Sequence, residues 1–239
     1  MTHELAQVFH IAVGSLGVLL YWGALLSRKG SAKHKAWGRP FFITLLVVAF
    51  SVAPLLFLRP GPFDPSHVVQ FGYLALCLGT VTMLAWTAIR WKNAAERFRG
   101  WHFKVLGPLL LLLGAVVLAA GLINNDPLPA FLSWVGLFHG GLMIRFAWIR
   151  APLLPNWWIN WHITAVCSLF TAVHGTLSFV AWRWSVMPDA PPEAAVGFHA
   201  LVLAIAIGLR LWFGRRRGVP LRFTQRATRS QPANQIAGT

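Results

Sequence analysis

The run "VLGPLLLLLGAVVLAAGLI", residues 105–123, constrains this chain more than any other feature. It holds no charge, and it is too long and too apolar for the core of a soluble domain. It matches the roughly 20 apolar residues with which a helix crosses a bilayer. In hydrocarbon every backbone N–H and C=O must be satisfied internally, which leaves helices and closed barrels. A barrel would read as segments of about ten residues with alternating hydrophobicity. These runs are apolar on every side, so the expected class is all-α.

Seven such spans are predicted, near 5–27, 40–58, 67–90, 104–123, 129–150, 157–182 and 195–213. The connections "RPGPFDPSH", "NNDPLP", "APLLPN" and "MPDAPPEAA" carry Pro, Asn and Asp, the residues of turns. The expected architecture is a seven-helix transmembrane bundle over residues 1–214. Residues 215–239 form a basic cytoplasmic tail, expected to lack fixed structure after Pro220. The first span lacks a basic leading segment, carries Glu4 instead, and has its positive charge behind it. That is the wrong polarity for a cleaved signal, and the span is expected to stay.

Charge placement sets the orientation. Connections after the first, third, fifth and seventh spans hold 19 of the 21 Lys and Arg, beginning with Arg28, Lys29, Lys33, Lys35 and Arg39 in "SRKGSAKHKAWGRP". The other side has Arg59 and Arg183, with Glu4, Asp64, Asp126, Asp189 and Glu193. Loops rich in Lys and Arg stay inside, so the N-terminus is expected outside and the C-terminus in the cytoplasm, in the cell's inner membrane. The formal net charge of +15 is then topology rather than a nucleic-acid footprint. The partner implied by the basic tail is anionic lipid headgroup, at about 1 kcal/mol per basic residue near the surface. Nucleic acid is not expected.

Chemistry within the membrane has to come from histidine. No intramembrane carboxylate, HExxH, Ser-His-Asp set or phosphate loop is present, and Cys77 and Cys167 read as small buried hydrophobes. Ionisable groups within a bilayer face the bundle interior. His10, His174 and His199 fall at one depth in the outer third of spans one, six and seven and form a candidate outer cluster. His34, His102 and His162 lie near the cytoplasmic boundary and form a weaker inner cluster, while His139 is mid-membrane. His10, Gly14, Gly17 and Tyr21 share one helix face, where the glycines are expected to admit a neighbouring helix. Asn160, Thr164, Cys167, Thr171, His174 and Ser178 make a polar stripe along the sixth span. Arg145 and Arg210 are expected to snorkel toward the cytoplasm.

Two imidazoles from facing helices are a common way to hold b-type haem, and Gly14, Gly17, Gly136, Gly140 and Gly175 are candidates to admit its ring. His162 and His174 are 12 residues apart and about 120° apart around the helix, so one face does not carry two stacked haems. The bland alternative for each histidine is a hydrogen bond that packs two helices.

The pattern His10…Gly14…Gly17…Gly23…Lys29-Gly30…His34…Gly38-Arg39 resembles that of the predicted membrane proteins of the DUF2306 family. The segment "NWHITAVCSLFTAVHGTLSF" is similar to a second motif of that family. It keeps His162, but Trp161 stands where the family has Arg and Val166 where it has Met. The resemblance implies a multi-pass helical protein, points to His10, His34 and His162, and implies no activity. Three readings stay open. One is a b-type haem protein moving electrons. Another is a structural or assembly subunit of a membrane complex. The last is a proton-linked carrier or lipid-binding protein.

Overall fold

The structure is a computed structural model that describes residues 2–225. It is all-α. The helices are α1 (His3–Leu26), α2 (Ala32–Phe57), α3 (Pro65–Arg90), α4 (Ala95–Phe98), α5 (Trp101–Ile123), α6 (Pro127–Leu132), α7 (Trp134–Ala147), α8 (Trp157–Ser185) and α9 (Pro192–Arg216). Seven segments are long and apolar enough to cross a membrane, α6 and α7 together making the fifth. The chain is therefore a multi-pass membrane protein. Leu19, Phe50, Leu112, Ile123 and Leu201 point outward, as lipid-facing side chains do.

Neighbours in sequence pair in space: α1 with α2, α5 with α7, α8 with α9. α3 and α8 join these pairs through the centre, and α6 meets α9. The seam is built from small and flat groups. Leu84, Ala85 and Ala88 of α3 and Trp161 and Ala165 of α8 have no exposure at all.

The second span begins eight residues earlier than predicted. Ser31 caps α2 by accepting from the backbone N–H of His34 at 3.2 Å, and the helix runs through Pro40. The loop is thus only 27–31, and Lys33, Lys35 and Arg39 ride on the first turns of α2. Gly30 supplies the turn with φ +83°, whereas Gly38 is helical with open space beside it. Of these residues only Gly30 shapes the turn.

The fifth span is broken at Ser133. Tyr73 patches the break: its hydroxyl donates to the Ser133 carbonyl at 2.9 Å and accepts from the Gly136 N–H at 2.9 Å. The close approaches of backbone to glycine lie here; on α1 only Gly23 is tightly packed, and against a side chain, the Trp37 ring. A methyl group on Gly140 would sit 2.6 Å from Leu111 N and 2.7 Å from Gly107 O, and one on Gly136 would sit 2.6 Å from Leu110 O. Gly14 faces open space, and Gly17 has only ordinary contacts with Thr44 and Leu45. The glycine-lined approach thus belongs to α5 and α7, where backbone meets backbone.

Residues 218–225 turn back onto the bundle. Gly218 makes the turn with φ +60°. Leu154 N–H then donates to Phe223 O at 2.7 Å, and Asn160 Nδ2 donates to Pro220 O at 2.8 Å and Arg222 O at 3.1 Å. The Phe223 ring stacks on Trp161 at 5.2 Å and meets Phe146 at 4.9 Å. The first part of the expected structureless tail is therefore packed, because its one aromatic residue has an aromatic cluster to enter. The tail from 226 to 239 lies outside the described residues.

Candidate functional site: the histidines and the cationic end

Each outer histidine is committed to a different helix pair. A carbonyl oxygen only accepts, so a ring nitrogen facing one must carry the proton. His174 Nδ1–H donates to Phe170 O at 3.0 Å, and its Nε2 accepts from the Trp22 indole at 2.9 Å. His199 Nδ1–H donates to Ala195 O at 2.8 Å, and its Nε2 accepts from the Thr176 hydroxyl at 3.3 Å. His10 Nδ1 pairs with Ser51 Oγ at 2.7 Å; that hydroxyl donates to Val48 O, so His10 is the donor. Shared depth has not produced a shared site. No group of three metal-binding side chains occurs among the described residues.

This arrangement does not fit a haem between the outer histidines. Axial ligation takes a ring-nitrogen lone pair, and His174 and His199 have none free. Three of the five glycines expected to admit the ring are filled as well. Gly175 accepts the His199 ring, 2.6 Å from where a methyl group would stand, and Gly136 and Gly140 accept Tyr73 and the α5 backbone.

The inner cluster differs. His34 Nδ1–H donates to Ala24 O at 3.0 Å and His162 Nδ1–H to Ala85 O at 2.9 Å. Both rings are fixed in the same tautomer, and neither Nε2 makes a hydrogen bond among the described residues. His162 lies within the fields of His34 and Lys29. His102 is not part of this group; its ring packs against Trp91, Trp101 and Phe103. The donor set at His34 and His162, two neutral imidazoles with Nε2 lone pairs, fits a metal or haem iron.

The Lys29…His34 spacing has a local cause. The last carbonyls of α1 have no helical partners. Lys29 Nζ donates to Ala24 O at 3.1 Å and also to Leu25 O, Ser27 Oγ to Gly23 O at 2.6 Å, and His34 to Ala24 O. The motif is a helix cap made from the next helix. Lys29 also lies over the Phe213 ring of α9 at 5.1 Å. Burial holds its ammonium below the ordinary lysine range, and Arg217 adds to the effect.

Arg210 is the residue that sequence reasoning misplaced. It does not snorkel: it is 7% exposed, between α8 and α9. Its Nε donates to Thr164 Oγ1 at 2.9 Å and one terminal nitrogen to Asn160 Oδ1 at 2.6 Å, while Nη1 is buried without a partner among the described residues. The lower half of the α8 polar stripe thus serves a guanidinium. Two residues one turn apart on α8, each able to accept, were the signal that could have found it.

His139 is fully buried in mid-bundle. Its Nε2 meets Ser168 Oγ at 3.0 Å and its Nδ1 has no partner. No family model, curated protein or solved structure matches the chain.

Proposed function

We propose that this chain is a ligand-binding protein of the cell's inner membrane whose working site is the His34–His162 pair, with b-type haem as the cofactor and electron transfer as the activity. One observation carries the reading. Both imidazoles are locked by helix carbonyls in the Nδ1–H form, which leaves Nε2 as a lone pair, the state in which histidines ligate metals. His34 and His162 would hold the iron. When bound, the haem supplies one-electron chemistry; the carbonyls of Ala24 and Ala85 fix both ring tautomers, and Phe42 packs edge-on against His162. The likeness to the DUF2306 family, which points to His10 as well as to these two histidines, belongs to this proposal.

The protein purified from cells grown with a haem precursor is expected to be coloured. Its dithionite-reduced spectrum should carry the sharp bands of six-coordinate haem, and His162→Ala or His34→Ala should each abolish them. Gly14→Ala, a change beside no packed group, should leave them intact. A colourless protein, or bands that survive both histidine changes, would sink the reading.

A structural or assembly subunit is the second reading, and one fact favours it: His10, His174, His199 and His139 each use a ring nitrogen in a hydrogen bond between two helices. Co-purification with one stoichiometric membrane partner, without colour, would select it.

The orientation proposed is N-terminus outside. With Cys77 and Cys167 both buried, single cysteines introduced at Arg28 and Lys92 can be labelled cleanly. Impermeant maleimide is expected to reach neither in intact cells and both in inverted vesicles. Labelling from outside would reverse the topology.

A further inference from the structure

Arg210 is buried with no carboxylate to answer it. Five of the chain's six acids fall at the other end of the bundle, and the sixth, Glu96, pairs with Arg99. Other cations crowd the same end. Arg210, Phe213 and Gly214 share one face of α9, Arg217 follows as its C-cap, and Lys29 reaches Phe213 from the α1–α2 loop. A buried cation among like charges is costly unless an anion or a set of acceptors answers it. Asn160 and Thr164 supply two acceptors, and Nη1 is left over.

Beside the guanidinium lies a cleft of about 450 Å³, between the end of α9 and the returning segment. Arg210, Gly214 and Arg215 line it with Leu211, Val219 and Leu221. Gly214 has a clear purpose here: a methyl group on it would stand 2.5 Å from Arg210 Nη1, so only glycine leaves the guanidinium its place at the cleft. Leu211 and Leu221 are exposed at the cleft's rim.

We propose that this cleft is an anion site that takes a phosphate group, with Arg210 at its floor and Arg215 at its mouth. The floor supplies a guanidinium already oriented by Asn160 and Thr164, so little freedom is lost on binding. The apolar rim suits the glycerol and first methylenes of a phospholipid. A free phosphate satisfies the same two arginines. The site is independent of the His34–His162 reading, since none of its residues touches either ring.

The test is native mass spectrometry of the full chain in detergent, titrated with phosphatidylglycerol or phosphatidylcholine, beside melting curves with inorganic phosphate. Phosphatidylglycerol is expected to be retained at one per chain, and Arg215→Gln and Arg210→Gln are each expected to weaken retention about tenfold. Because Arg210→Gln removes a packed group, Arg215→Gln carries the test if that variant does not fold. Melting raised by inorganic phosphate as much as by phosphatidylglycerol assigns a free anion. Melting raised by phosphatidylglycerol alone assigns the lipid. Both outcomes support the site. Equal retention of the two lipids with no phosphate effect, or Arg215→Gln retaining phosphatidylglycerol like the parent, overturns it.

Discussion

Gly140→Val is expected to leave almost no monodisperse protein, whereas Gly141→Val, one residue along the same helix, elutes like the parent. The two changes cost the same helix propensity, so packing alone separates them. A Cβ at 140 meets Leu111 N and Gly107 O, both backbone atoms that no rotamer change can move away. A Cβ at 141 meets nothing within 4 Å. Overpacking a side-chain core costs about 1–3 kcal/mol. Forcing two helix backbones apart along α5 and α7 exceeds that, because it also breaks the Tyr73 patch at Ser133 and Gly136. Size-exclusion profiles of fluorescent fusions read the difference directly. Similar profiles for both variants would mean that α5 and α7 do not pack as described.

Asn160→Leu is expected to lower the melting temperature on the order of 10 °C. Stripping one partner from a buried charge costs about 3–5 kcal/mol, and each kcal/mol moves a chain of this size by about 2–4 °C. Asn160 accepts from Arg210 and donates to Pro220 and Arg222 carbonyls, so the loss has two components. Adding Arg210→Met separates them. The double variant should regain the part due to the unpaired guanidinium, since two apolar groups replace a hydrogen-bonded pair at little cost. If the second change recovers nothing, Asn160 acts only through the returning segment.

The seven crossings were legible because lipid leaves the backbone few choices and apolar runs record them directly. The break at Ser133 was not. The sequence around it reads as one apolar stretch, and the hydroxyl that permits the break comes from Tyr73, sixty residues away. Depth was legible for the histidines, and direction was not. His174 and His199 do lie on helices that face the interior. Which nitrogen meets Trp22 or Thr176 depends on how the helices rotate against one another, and one chain's periodicity does not encode that. The start of α2 was missed for a simpler reason: Pro40 reads as a helix start, yet with Ser31 as cap the helix absorbs it. Arg210 was missed because a basic residue near a boundary has an easy route to water. Its polar companions on α8 were visible, but as a cofactor's edge rather than a guanidinium's partners.

The return of residues 218–225 onto α7 and α8 also sets how the last helix can move. α9 is pinned at that end by the carbonyls of Pro220 and Arg222 on Asn160, by Arg210, and by the Phe223 ring. At its opposite end it enters from a connection in which Val186 and Met187 are exposed. Any swing of α9 away from α8 therefore has its fulcrum at the cationic end and its largest travel at the other. Such a swing would lift the Phe198 ring from Phe179 and Trp182 and the His199 ring from its notch at Gly175. On that lever His199 would be the latch, and its bond to Thr176 the catch.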